Sequence, residues 1–146
     1  MSVDTANFSL PISGSDGDGI LSLLHDVDVI ENHKGIKFYS GYLLGENGFD
    51  YHVCVTPNKV LLNKCSLSKW YMGSNLSEMS RSDTQLAIER LSDSLHLSMD
   101  RADVTRFDVA KNIMLRYPVE VYFAFMGSLS RFERLSQPHA LYYKQA

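Results

Sequence analysis

"GIKFYSGYLLGENGFDYHVCVTPNKVLLNKCSL", Gly35 to Leu67, is the stretch whose reading decides the fold. Two runs rich in aromatic and β-branched residues, Gly35–Gly45 and Phe49–Thr56, flank Glu46-Asn47-Gly48. Asn-Gly supplies the positive φ values that tight hairpin turns need. Pro57-Asn58 then separates the second run from "KVLLNKCSL", Lys59–Leu67, and proline presets the φ of a turn. The stretch predicts a three-stranded antiparallel meander. Along its middle strand Phe49, Tyr51, Val53 and Val55 share one face, and Asp50, His52, Cys54 and Thr56 the other.

Working outward, "TANFSLPI" (Thr5–Ile12) reads as a strand and "SGSDGDG" (Ser13–Gly19) as a loop. Asp16, Asp18 and Gly19 resemble a calcium loop only in part, because Ile20 replaces the next oxygen ligand. A turn into a short helix, "ILSLLHDV" (Ile20–Val27), is the better expectation. "SDTQLAIERLSDSLHL" (Ser82–Leu97) predicts a helix capped by Ser82 and Gln85, with Ala87, Ile88, Leu91 and Leu95 as its apolar stripe. "VTRFDVAKN" (Val104–Asn112) follows as a strand, then "PVEVYFAFMG" (Pro118–Gly127) as a helix with proline at its start and glycine at its end. "SRFERLS" and "ALYYKQA", parted by Gln137-Pro138-His139, read as a last hairpin. Together these elements predict an α+β domain spanning residues 1–146, a mostly antiparallel sheet with helices packed on one face. The strand "LYYKQ" reaches Ala146 without a turn or cap, so the expectation is an N-terminal portion of a longer protein.

Composition places the chain among globular proteins. Its 146 residues are 45% hydrophobic, 11% aromatic and 21% charged, which excludes a largely disordered chain. No run approaches a membrane span, and the start "MSVDTANFSLPI" lacks the basic and apolar regions of a signal peptide. A cytoplasmic location is expected. Cys54 and Cys65 match no zinc spacing and read as small buried hydrophobes. Net charge is −3, yet residues 101–146 hold seven Lys/Arg against four Asp/Glu. That skew suits a local patch facing phosphates, although ordinary variation in surface composition also produces it.

Sequence signatures of nucleotide-binding loops, thiol motifs and zinc proteases are absent. The histidines are scattered, without a His-hydrophobe-His pair. Attention falls on "VTRFDVAKN", where alternation puts Thr105, Phe107 and Val109 on one face and Arg106, Asp108, Ala110 and Asn112 on the other. Asp108 could give an oxygen ligand to Mg²⁺ or Mn²⁺, with Arg106 contacting phosphate or orienting the carboxylate. An ion pair on a solvated face has the same spacing, and spacing alone favours it. In "SLSKWYMGSN" (Ser66–Asn75), Lys69 and Trp70 suit a single-strand contact or, equally by spacing, a core aromatic beside a surface lysine.

"VTRFDVAKN" resembles the T-R-hydrophobe-D-hydrophobe-A motif of phage and plasmid replication initiation proteins, of the filamentous-phage and rolling-circle plasmid types. "SLSKWYMGSN", "SRSDTQLAIERLSDSLHLSMDRADVTRFDVAKN" and "RLSQPHALYYKQ" are similar in order to those of Bacteroidetes-type bacteria. The resemblance runs from about Gly35 onward. It implies a metal-dependent enzyme that nicks one strand of origin DNA through a tyrosine and later rejoins it. On the matching positions, Asp108 becomes a metal ligand for Mg or Mn. Asn112, where plasmid relatives usually carry aspartate, offers an amide oxygen as a second. Arg106, Lys111, Lys69 and Trp70 become the candidate DNA contacts. The nucleophilic tyrosine is expected beyond Ala146, with Tyr142 and Tyr143 read as strand residues. Origin DNA, single-stranded or nicked, is the implied partner, with a second copy of the chain and a host helicase as further candidates and no membrane. A non-enzymatic DNA-binding or regulatory module competing with a full-length initiator is the alternative.

Overall fold

The computed structural model describes residues 2–111, 113–137 and 140–145. The chain divides into two units, Met1–Asn112 and Ile113–Ala146.

In the first unit β1 (Ser2–Pro11) leads to α1 (Gly14–Leu21), then β2 (His25–Glu31), β3 (Lys37–Leu43), β4 (Tyr51–Val55) and β5 (Lys59–Asn63). Two helices, α2 (Leu67–Met72) and α3 (Arg81–Leu95), and a 3-10 turn at Met99–Arg101 precede β6 (Asp103–Ala110). The six strands form one antiparallel sheet in the order β2-β3-β4-β5-β1-β6. The predicted meander is present and gains β2 as a fourth strand. The α+β reading holds: a mostly antiparallel sheet with helices on one face.

Register explains the core. Leu43 pairs with Tyr51, Val53 with Leu62, Val55 with Val60, and Phe8 and Leu10 of β1 with Leu62 and Val60. Cross-strand partners lie on the same side of a sheet, so these apolar residues form one continuous layer. Ile20 of α1, Leu67 and Trp70 of α2, and Ala87, Leu91 and Leu95 of α3 close over it, all buried. Tyr51 is fully buried, and its hydroxyl donates to the Ala6 carbonyl at 3.3 Å. Burial pushes its phenol far above the ordinary tyrosine range. Gly41 marks where β2 crowds β3: a Cβ there would lie 2.9 Å from the His25 carbonyl oxygen and 3.1 Å from the Leu24 Cβ.

Some expectations shift. The stretch read as a loop forms α1, because the Asp16 carboxylate accepts both the Ser13 N–H (3.0 Å) and its hydroxyl (2.7 Å) and so caps a helix starting at Gly14. The helix read over Ile20–Val27 ends at Leu21, and the alternation in "HDVDVIE" becomes β2. The cap of α3 is Ser80 rather than Ser82: Asp83 accepts the Ser80 N–H at 2.9 Å and returns its own N–H to the Ser80 hydroxyl at 3.1 Å. The apolar face of β6, with Phe107 and Val109, is left uncovered. Strand β6 is at the sheet edge, and Val104, Phe107 and Val109 are more than half exposed.

The second unit contains α4 (Val119–Phe125) and the hairpin β7 (Phe132–Gln137) with β8 (Ala140–Gln145), as the sequence suggests. The Arg134 guanidinium donates to the Phe123 carbonyl at 2.9 Å, tying α4 to the hairpin. Tyr142 and Tyr143 are strand residues of β8, and the Tyr143 hydroxyl donates to the Gly127 carbonyl. The hairpin's Pro138 and His139 lie outside the described residues.

Candidate nucleic-acid interface

The helices of the first unit all cover one side of the sheet, so the other side is lined by strand side chains of the alternate phase. Register aligns them in rows. His25 pairs with Tyr42, Tyr42 with His52, and His52 with Asn63, which carries one row across β2, β3, β4 and β5. Asn7 pairs with Arg106 on β1 and β6. Asn7 and Asn63 both adjoin the Phe8–Leu62 pair, so they continue the same line. A second row runs Asp28, Ser40, Cys54, Leu61, Ser9 and Asp103.

Arg106 and Asp108 stand two residues apart on β6 and therefore on this open face. The Arg106 Nε donates to Asp108 Oδ2 at 2.9 Å, and Nη2 reaches the same oxygen at 2.7 Å. The hydrogen bond and the negative charge of Asp108 raise the guanidinium above its already high ordinary value. Both side chains are well exposed, so the pair holds the guanidinium in one orientation but adds little stability. Arginine has five N–H donors, and those not turned to Asp108 are suited to phosphate oxygens.

At the centre of the sheet, His52 sits edge-on to Tyr42 with ring centroids 5.5 Å apart. Its Nδ1 is buried without a hydrogen-bond partner, as is the Oδ1 of Asn7 in the same line. Burial, then the charge of Lys64, lowers the His52 pKa below the ordinary histidine value, so the ring is neutral at pH 7.

The other site residues expected from the sequence are dispersed. Lys111 is exposed just beyond β6, and Asn112 lies outside the described residues. Lys69 belongs to α2, on the helical side, with its ammonium 5.7 Å from the centre of the Phe49 ring. Trp70 corrects the expectation of a stacking surface. It is only 5% exposed and packs edge-on against Tyr51, 6.0 Å between ring centroids, so its faces belong to the core. Asn47, from the Asn-Gly turn, donates to the carbonyls of Trp70 and Tyr71 at 3.2 and 3.0 Å and fixes that turn to α2.

Among the described residues no three His, Cys, Asp or Glu side chains come together to hold a metal ion. Asp108 is paired with Arg106, and Asn112, the second expected ligand, lies outside the described residues. Sequence reasoning did not single out His25, Tyr42, His52, Asn63 and Asn7. Alternation in "FDYHVCVT" put His52 on the polar face, but its partners are set by cross-strand register, which spacing along one strand does not contain.

The family model for the N-terminal region of a phage replication-associated protein matches residues 24–146. The chain belongs to this family. No curated protein and no solved structure matches it. The matched range takes in every strand of the open face except β1. As a member of this replication-associated family, the protein has a role in initiating DNA replication. No helix among the described residues is long and apolar enough to cross a membrane.

Proposed function

We propose that the chain is the origin-engaging portion of a rolling-circle initiator, whose whole activity is to nick one DNA strand and rejoin it. The observation that carries this reading is the Arg106–Asp108 pair, fixed on the open sheet face within the very stretch that resembles the initiator motif. A guanidinium held by a neighbouring carboxylate is pre-oriented, and less freedom is lost when it closes on a phosphate. Asp108 is thus a positioning residue for Arg106, and Arg106 contacts the DNA backbone. Lys111, exposed beyond the same strand, adds a second cation near that end of the sheet.

The nicking chemistry of such initiators draws on a divalent metal and a tyrosine. The described side chains do not assemble the metal site, and none of the tyrosines is assigned as the nucleophile. The test is incubation of the protein with supercoiled DNA of its own replicon and Mn²⁺, followed by denaturing separation. Nicked circles, or protein covalently joined to DNA, support a nickase. Binding that persists in EDTA with no nicking is the result this reading predicts for the chain by itself, and no binding would overturn it.

A further inference from the structure

Strand β6 ends the six-stranded sheet, and among the described residues only β1 pairs with it. The backbone N–H and C=O groups along its outer side are therefore open to another strand. No proline interrupts Asp103–Ala110, and Val104, Phe107 and Val109 are more than half exposed. These three oppose Phe8, Ala6 and Val3 of β1, so they carry the apolar side of the sheet beyond the part that helices cover. Arg106, opposite Asn7, and Asp108 lie on the other side.

The sequence of β6 is complementary to itself. Two antiparallel copies related by a two-fold axis at Phe107 set one Phe107 against the other. Arg106 of each copy then opposes Asp108 of the other, so four charges alternate in sign along and across the strands. The step from Asn7–Arg106 to Phe8–Val104 makes Thr105 an extra residue of β6, a bulge. The bulge keeps Val104 on the apolar side, opposite Val109 of the second copy, so valine pairs flank the phenylalanines in one uncharged cluster. Moving the axis to either neighbouring residue would set Arg106 against Arg106 or Asp108 against Asp108. Like charges directly opposite are destabilising, so charge selects a single register.

We propose that β6 is a homodimerisation edge: a second copy of the chain adds its own β6 antiparallel and joins two six-stranded sheets into one. Main-chain hydrogen bonds supply affinity in such strand addition, and the matched side chains select the partner. Each guanidinium has five donors, so pairing with Asp108 of both copies leaves donors for phosphate. The dimer does not depend on DNA.

The test is sedimentation equilibrium of the full chain, free of DNA, over a concentration series. The wild type should show a monomer–dimer equilibrium. Arg106→Asp sets Asp against Asp at both charged pairs, and Asp108→Arg sets Arg against Arg. Each variant alone should weaken the dimer by about tenfold or more. An equimolar mixture of the two variants puts opposite charges back at both pairs and should restore the dimer, which also shows that both are folded. A wild type that stays monomeric throughout the series would overturn the proposal. So would dimers that neither charge reversal weakens, or variants with wild-type circular dichroism that stay monomeric when mixed.

Discussion

Arg106 and Asp108 meet at a single oxygen: Nε and Nη2 of the arginine lie 2.9 and 2.7 Å from Asp108 Oδ2 on an edge strand open to solvent. A pair so exposed orients a guanidinium without holding the fold together. Arg106→Ala and Asp108→Ala should each change the stability measured by urea denaturation by less than about 1 kcal/mol. A loss of several kcal/mol would show that the pair is structural.

Tyr51 is the opposite case, because its ring and hydroxyl are both enclosed. Tyr51→Phe removes the hydrogen bond to the Ala6 carbonyl and should cost about 0.5–1.5 kcal/mol. Tyr51→Ala also empties the space between Phe8 and Trp70, and should cost about 3–5 kcal/mol. Urea midpoints of the two variants check this ordering.

Gly41 carries the close approach of β2 to β3. In Gly41→Ala the new methyl meets the His25 carbonyl and Leu24, which must shift. A loss of about 1–3 kcal/mol is expected, with amide protection falling first along β2. Hydrogen exchange locates that loss, and unchanged protection there would contradict the tight contact.

His52 makes stability depend on pH. Its folded pKa is lowered, by burial first and then by Lys64, so the unfolded chain takes up the proton more readily. Its contribution is complete above the ordinary histidine value of about 6.5 and is lost as pH falls through that value towards the lower folded one. His52→Gln should flatten the fall in urea midpoint between about pH 7 and pH 5. Parallel curves for variant and wild type would deny His52 this role.

These cases also show what a single strand of sequence can carry. The meander was legible because Asn47-Gly48 and Pro57-Asn58 punctuate alternating runs, and each is a local signal. The start of α1 was hidden because Ser13 and Asp16 make a cap inside a stretch whose glycines read as a loop. The exposure of Phe107 depends on which helices reach the sheet edge, and no spacing within β6 reports that. At the site, Arg106 and Asp108 were visible as neighbours in alternation, whereas Tyr42, His52 and Asn63 come together only through register. Trp70 had two readings beside Lys69, and contact with Tyr51 chose the core.

The central claim is that the open face engages DNA through Arg106, and the salt dependence of binding tests it most directly. Affinity for a single-stranded oligonucleotide of the replicon, measured across a salt series in EDTA, should fall as salt rises. For Arg106→Ala it should be weaker, and the slope of log affinity against log salt should be shallower by about 0.7, the loss of one phosphate contact on a single strand. Identical slopes and affinities for variant and wild type, or no binding by either, would contradict the account.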